Sequence, residues 1–206
     1  DRQWSRGLGD VYKRQILSDA LAVSFDNHIG HDYLQDYEER YESYHRKESR
    51  IQFDLEHFNK ITKGGLPNKT LNIALAGTGV GKSLFMCHHA SSVLLDGKNV
   101  LYITLEMAEE KIAERIDANL LNVNIQNITE LPKPMFESKV NNLAKKTQGT
   151  LIIKEYPTAS AHSGHFKSLL NELSLKKSFR PDIIFIDYLN ICASSRYSKT
   201  ANVNSY

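Results

Sequence analysis

The sequence predicts an α/β fold whose core is a mainly parallel sheet with helices on both faces. Two observations predict it. Short apolar runs alternate with segments whose apolar residues recur at helical spacing, from residue 71 to residue 187. In addition, a glycine-rich stretch joins the first apolar run to a helical pattern that begins at Lys82. A repeated β-α order gives parallel strands, and ligands then bind at the carboxyl ends of those strands.

Each predicted element follows from its apolar period and from the turn residues that flank it. We expect strands over residues 71–76, 99–105, 150–156 and 182–187. We expect helices over residues 82–95, 108–121, 134–147 and 165–177, each with apolar residues on one face.

The composition restricts the class of protein. The chain has 206 residues, 41% of them hydrophobic, which suits one α/β domain with an appendage. A net charge of +2 neither demands nor excludes nucleic acid. Cys87 and Cys192 show no metal-ligand spacing, so we expect two free thiols in a reducing, cytoplasmic setting. No apolar run approaches the ~20 residues that span a bilayer, so no membrane role is expected.

Three regions are expected along the chain. Residues 1–15 lack a sustained period and are interpreted as a non-native or disordered leader. Residues 16–50 are interpreted as a helical linker segment, with a weakly apolar face over residues 17–24. Residues 51–206 are interpreted as the α/β domain, incomplete at its C-terminus, because the chain stops in a polar run soon after an apolar strand.

The linker segment carries an aromatic stripe. Tyr33, Tyr37, Tyr41 and Tyr44 recur at helical spacing among charged residues. We expect this stripe to pack on the neighbouring domain. Stacking on nucleic-acid bases is the alternative, which the flanking acids disfavour.

The stretch from Ala76 to Ser83 (AGTGVGKS) is a phosphate-binding loop between a strand and a helix. Its glycines let backbone N–H groups approach phosphate oxygens, and the helix N-terminus adds positive potential. Lys82 reaches the β- and γ-phosphates of a nucleotide, and Ser83 offers its hydroxyl to Mg²⁺. A glycine-rich turn with a solvated lysine is the alternative. The expected ATP-binding residues are Gly77, Thr78, Gly79, Val80, Gly81, Lys82, Ser83 and Leu84.

Two carboxylates follow apolar strands at the sheet edge where this loop opens. Asp187 ends the strand over residues 182–187, so it is predicted to hold Mg²⁺, through water, as the partner of Ser83. Glu106 directly follows the second strand and could orient and deprotonate an attacking water. An equal alternative is that Glu106 has a structural role, as an acidic residue that the dipole of the next helix stabilises near its N-terminus.

Several motifs resemble the DnaB-type replicative helicases. They are TLEMAEE over residues 104–110 with Arg115 and Ile116 after it, IIFIDYLN over 183–190, and ITKGGL over 61–66. Four segments further resemble the T-even bacteriophage members: NVLYI over 99–103, EMAEE over 106–110, RIDAN over 115–119 and LLNEL over 169–173. The resemblance covers about residues 17–196.

This resemblance implies a RecA-like, ATP-hydrolysing domain of a ring, usually a hexamer, that surrounds single-stranded DNA. It implies that Lys82 stabilises transition-state charge, that Glu106 is the catalytic base, and that Ser83 and Asp187 serve Mg²⁺. Arg115 matches a family arginine, for which we expect a structural ion pair. A primase and a helicase loader are the further partners implied.

The same resemblance implies that the segment over residues 17–24 docks on a neighbouring subunit. Arg196 and Lys199 could face the DNA channel, but a solvated loop is the preferred interpretation. The expected arginine finger and γ-phosphate sensor would lie beyond the chain end, so we expect poor hydrolysis by this chain alone.

Two other functions remain open from the sequence. A RecA-type recombinase shares the fold and the phosphate loop, although the segments over residues 106–109 and 187–190 favour the helicase. A nucleotide-binding assembly module without turnover is the alternative outside the enzymes.

Overall fold

The computed structural model describes residues 30–46 and 48–194. The expected leader over residues 1–15, the amphipathic segment over 17–24, Arg196 and Lys199 lie outside the described residues. The chain forms two compact units, residues 1–47 and 48–206, which are treated separately. No helix in the described ranges is both long and apolar enough to cross a membrane.

The described part of the first unit contains helix α1 (Tyr37–His45). The four tyrosines of the predicted stripe are exposed, from 59% for Tyr37 to 75% for Tyr44. They border an open cleft of about 590 Å³, and the Arg40 guanidinium lies 4.3 Å from the Tyr33 ring centroid. Packing of the stripe on a neighbouring domain stays a prediction.

The second unit contains the sheet and the helices that cover it. Its elements are β1 (Arg50–Ile51), α2 (Glu56–Ile61), β2 (Leu66–Pro67), α3 (Lys82–Leu95), β3 (Val100–Thr104), α4 (Glu109–Leu120), α5 (Lys133–Ala144), β4 (Leu151–Glu155), α6 (Ser163–Lys177) and β5 (Ile183–Asp187). Two 3₁₀ helices span Ile125–Glu130 and Leu189–Ile191.

Strands β3, β4 and β5 form a parallel sheet in the order β4-β3-β5. All five residues of the central strand β3 are buried. In this register Thr104 is opposite Glu155 on one side and Asp187 on the other. The carboxyl ends of the three strands therefore meet at one edge, where the sequence predicts the site.

Alternate residues of β3 enter two separate cores. Val100 and Tyr102 pack with Val93 of α3 and Ile112 of α4 on one face. Leu101 and Ile103 pack on the other face with Leu169 and Leu173 of α6. A buried parallel strand needs apolar residues on both faces, which explains why the sequence of β3 is a nearly continuous apolar run. The predicted α/β class with helices on both faces is confirmed.

The strand predicted over residues 71–76 is wrong. This segment has no strand pairing in the structure, and Leu71, Ile73 and Leu75 are 86%, 72% and 95% exposed. An apolar run indicates a preference for burial, whereas a strand also needs a partner for its backbone N–H and C=O groups. The phosphate loop is therefore entered from an unpaired segment, and the sheet of the described residues has three strands.

Candidate nucleotide-binding site

The loop before α3 uses glycine where the backbone turns into the left-handed region. Gly79 has a φ of 77° and Gly81 a φ of 106°, a region that other residues rarely adopt. A Cβ atom at either position would meet nothing within 4 Å, so the backbone conformation, not crowding, calls for glycine there. The loop is closed by a hydrogen bond of 3.4 Å that the Val80 N–H donates to the Gly77 carbonyl.

Helix α3 begins at Lys82 without a side-chain cap. The first N–H groups of a helix have no partner within the helix and carry the positive end of its dipole. Ser83 is half-buried in this first turn, and Leu84 is exposed. The predicted ATP-binding residues thus form one continuous loop and helix turn whose N–H groups can bind an anion.

Lys82 and Asp187 lie next to each other in the structure. The Lys82 Nζ is 3.9 Å from Asp187 Oδ1, and it also lies 3.7 Å from the Tyr188 ring centroid. Asp187 ends β5, whereas Lys82 begins α3, so this contact joins the phosphate loop to the sheet. A lysine with a four-carbon stem can leave such a contact for a phosphate without backbone movement.

The two oxygens of the Asp187 carboxylate differ in their surroundings. Oδ2 accepts a hydrogen bond of 3.1 Å from the Tyr102 hydroxyl. Oδ1 is buried and has no hydrogen-bond partner among the described residues. Magnesium prefers oxygen ligands such as carboxylates and hydroxyls and keeps several waters. The free Oδ1 together with the Ser83 hydroxyl therefore fits a Mg²⁺ ion held with a nucleotide.

Tyr102 is a site residue that sequence reasoning missed. It lies in the middle of β3 and is fully buried, and burial raises the pKa of its hydroxyl above the ordinary value. The hydroxyl stays protonated and accepts from the Cys87 thiol at 3.8 Å. Burial likewise raises the pKa of Cys87. The available signal was a tyrosine between apolar residues of the strand, since a buried hydroxyl needs a polar partner.

Glu106 lies at the same sheet edge as Asp187. It follows β3 by two residues, and Thr104 at the end of β3 is opposite Asp187. The Thr104 hydroxyl donates to the Met107 carbonyl at 2.8 Å and accepts from the Met107 N–H at 3.1 Å. Glu106 is exposed and makes no hydrogen bond or ion pair within the described ranges. Its carboxylate is therefore free to take part in chemistry, and its role stays a prediction.

The ion pair expected for Arg115 is absent among residues 30–46 and 48–194. Arg115 is half-buried on α4, and no carboxylate lies within ion-pair distance in that part of the chain. Its charge acts instead on Cys87, where it partly offsets the rise in pKa that burial causes. Helical spacing predicted its position but not its neighbours.

The free thiols expected from the cysteine spacing are confirmed. Cys87 is buried and Cys192 is partly buried, and both are unpaired. Burial also raises the pKa of Cys192.

A glycine loop at an uncapped helix N-terminus, a lysine and a buried aspartate at the end of an adjacent strand define a phosphate-loop nucleotide-binding protein of the α/β class. The family described as the DnaB-like helicase C terminal domain matches residues 51–205. The chain belongs to this family.

Individual relatives agree with the family. Over 194 residues the chain is 48% identical to the DnaB-like replicative helicase of Enterobacteria phage T4, a match that covers 93% of this chain and 41% of the relative. A probable plasmid replicative DNA helicase of Chlamydia psittaci is 28% identical over 130 residues, 60% of this chain and 27% of that protein. The DNA repair protein RadA of Campylobacter jejuni is 30% identical over 115 residues, 51% of this chain and 25% of that protein. The chain thus spans less than half the length of these relatives.

Solved structures show the same fold. A DnaB-like replicative helicase, described with its interactions with primase, superimposes with a TM-score of 0.56 at 19% identity, over 91% of this chain and 46% of its own. A second solved structure, of an ATPase domain, gives a TM-score of 0.59 at 16% identity, over 84% of this chain and 62% of its own. The fold is therefore that of the RecA-like ATPase domains, as predicted.

Proposed function

We propose that this chain is the ATP-hydrolysing motor part of a replicative DNA helicase. The observation that carries the proposal is the position of Lys82, at the N-terminus of α3 and 3.9 Å from the buried Asp187. This pair places a cation suited to phosphate beside a carboxylate suited to Mg²⁺, where β5 ends and α3 begins. The family supports the helicase rather than a recombinase, because the matching model is that of the DnaB-like helicase C terminal domain, over residues 51–205.

The phosphate loop binds the triphosphate of ATP. Backbone N–H groups of residues 77–83 donate to phosphate oxygens, and the N-terminus of α3 adds positive potential. Lys82 leaves Asp187 and Tyr188 and places its ammonium against the β- and γ-phosphates. There it stabilises the negative charge that develops on the transferred phosphoryl group.

Ser83 and Asp187 would hold Mg²⁺, the Ser83 hydroxyl directly and Asp187 through water. When bound there, Mg²⁺ would supply positive charge that offsets the charge of the phosphates. Glu106 orients the attacking water and accepts its proton at a carboxylate oxygen. This assignment uses the exposure of Glu106 and its place at the same edge as Asp187.

The expected partners follow from the relatives. We propose single-stranded DNA as the track and a second copy of this chain as the neighbour in a ring, with six copies as the family number. A primase and a helicase loader are proposed as further partners, the former because a solved relative is described with primase. The cytoplasm of the host cell is the proposed location.

Glu106→Gln tests the hydrolytic part of the proposal. The amide keeps the shape of the side chain but cannot accept a proton, so single-turnover ATP hydrolysis by the full-length ring should fall roughly 10²- to 10⁴-fold. Nucleotide affinity should stay within about twofold. Glu110→Gln is the matched control, because Glu110 is an exposed acid on the first turn of α4.

An unchanged hydrolysis rate in Glu106→Gln would remove Glu106 from the chemistry. Nucleotide binding with no hydrolysis in the full-length ring, even when single-stranded DNA is present, would favour the assembly module.

A further inference from the structure

The Tyr102 hydroxyl and the Asp187 carboxylate form a buried contact between neighbouring strands. Tyr102 lies on β3, Asp187 ends β5, and both side chains are fully buried. The hydroxyl donates to Asp187 Oδ2 at 3.1 Å. A hydrogen bond to a carboxylate is stronger than one between neutral groups, so this contact restrains the carboxylate.

The hydroxyl has one hydrogen to donate, and it is committed to Asp187. Its oxygen accepts from the Cys87 thiol at 3.8 Å, which leaves the hydrogen free to point the other way. A tyrosine hydroxyl is one donor and one acceptor group. The hydroxyl thus accepts a hydrogen bond from Cys87 and donates one to Asp187.

This contact leaves the other carboxylate oxygen facing the phosphate loop. With Oδ2 held by Tyr102, Oδ1 lies 3.9 Å from the Lys82 ammonium and has no hydrogen-bond partner in the described part of the chain. Rotation of the carboxylate would break the Tyr102 bond. The hydroxyl therefore restrains the plane of the carboxylate, so that one oxygen faces the phosphate loop.

Packing accounts for the ring of Tyr102 but not for its hydroxyl. The ring stacks on Phe185, with centroids 5.8 Å apart and planes at 22°, and belongs to the core between the sheet, α3 and α4. A phenylalanine would make the same ring contacts. A hydroxyl in an apolar core loses its hydration and needs a polar partner, and the acceptor for this one is Asp187.

We propose that Tyr102 is a positioning residue that orients the Asp187 carboxylate toward the Mg²⁺ of a bound nucleotide. This inference rests on the proposed function, since it assumes that the loop binds Mg²⁺-ATP. Residues that hydrogen-bond a metal-binding carboxylate typically change metal affinity 10- to 100-fold when they are removed.

Tyr102→Phe tests the inference, because it removes the hydroxyl and retains the ring. The readout is equilibrium binding of a fluorescent ATP analogue by the 206-residue chain, first in EDTA and then over a series of Mg²⁺ concentrations. Mg²⁺ should increase the affinity for the analogue. The Mg²⁺ concentration at which half of this increase is reached should be about tenfold higher for Tyr102→Phe. Affinity in EDTA should stay within about twofold, because the phosphate loop is untouched.

Tyr156→Phe is the matched control. Tyr156 is partly buried, follows β4 and makes no hydrogen bond through its hydroxyl in the described part of the chain. Its variant should bind the analogue like the unmodified chain at every Mg²⁺ concentration. Thermal melting should show that both variants fold. If Tyr102→Phe did not melt cooperatively at the binding temperature, the titrations of all the proteins would be made at a lower temperature at which it is folded, with the same shift expected.

Asp187→Asn separates the two ways in which the account could fail. If Asp187→Asn leaves the Mg²⁺ dependence unchanged, the metal assignment in the proposed function is wrong. If Asp187→Asn changes it but Tyr102→Phe does not, Tyr102 has only a packing role. In the Asp187→Asn background, Tyr102→Phe should add no further shift, and full additivity of the two changes would also overturn the inference.

Discussion

The ammonium of Lys82 lies 3.9 Å from Oδ1 of Asp187, a carboxylate that is fully buried. A buried charge is stable only when it is paired or hydrogen-bonded, and Tyr102 satisfies only the other oxygen. The Lys82 side chain itself is 23% exposed and leans over Tyr188. We therefore expect the pair to separate when a nucleotide binds, because phosphates offer Lys82 more negative charge than one carboxylate.

Thr104→Val should slow hydrolysis while it leaves nucleotide binding unchanged. The Thr104 hydroxyl closes the turn around Glu106 through both backbone groups of Met107. Without it the turn loosens, and a misplaced catalytic group lowers rates on the order of ten- to a hundredfold. Single-turnover hydrolysis by the full-length ring and analogue titration measure the two effects. Thr104→Ser keeps the hydroxyl and should retain the rate, so equal rates for Val and Ser would show that the turn does not need this bond.

Gly65→Ala should destabilise the second unit more than Gly64→Ala. Both glycines have positive φ, 111° and 105°, so alanine is strained at either. A Cβ at Gly65 would lie 2.3 Å from the Ile51 carbonyl oxygen, whereas one at Gly64 meets only Arg50 Cδ at 3.8 Å. The added clash should lower the free energy of unfolding by roughly 2 kcal/mol more at Gly65. Urea denaturation measures both, and equal losses would contradict the contact between Gly65 and β1.

His89→Phe should remove part of the acid sensitivity of folding. His89 is 2% exposed, stacks on Phe53 with centroids 4.3 Å apart, and has no hydrogen-bond partner at either ring nitrogen among the described residues. Burial lowers the pKa of His89 to about 4, with Asp54 opposing and His88 adding to the effect. The pKa of His89 is lower in the folded state than in the unfolded state. The stability that neutral His89 contributes is therefore fully present above pH 6.5 and is lost as the pH falls toward 4.

The expected size of this effect follows from the two pKa values. Between roughly pH 7 and pH 5, protonation of His89 should lower the free energy of unfolding of the unmodified chain by about 2 kcal/mol. The His89→Phe variant should not show this decrease. Urea denaturation of both proteins at the two pH values isolates the difference, because all other groups titrate in both. Parallel losses would show that His89 is charged or hydrated in the folded state.

The fold could be predicted well where the apolar residues of a segment recur at a regular spacing. The helix expected over residues 82–95 is observed as Lys82–Leu95, and the strand expected over residues 182–187 is observed as Ile183–Asp187. Predictions failed where the outcome depends on a partner. Residues 71–76 have the apolar pattern of a strand but no hydrogen-bonded neighbour, and the pairing of β1 with β2 involves two-residue strands too short to show a period.

The candidate site was predicted as a set of positions but not as a set of contacts. The loop over residues 77–84 and both carboxylates could be placed at one sheet edge, because parallel strands end together. The hydrogen bond from Tyr102 to Asp187 joins residues 85 positions apart, and the register of β3 against β5 brings them together. A local pattern contains no information on such a pairing.

Lys82→Ala gives the most direct test of the central claim, that the loop over residues 77–84 binds Mg²⁺-ATP. Lys167→Ala is the control, because it removes the same charge from an exposed position on α6. In titrations with a fluorescent ATP analogue and Mg²⁺, Lys82→Ala should bind roughly 10- to 100-fold more weakly than the unmodified chain, the loss expected for charged hydrogen bonds to phosphate. Lys167→Ala should bind like the unmodified chain. Equal affinities for all three proteins would contradict the assignment of this loop as the nucleotide site.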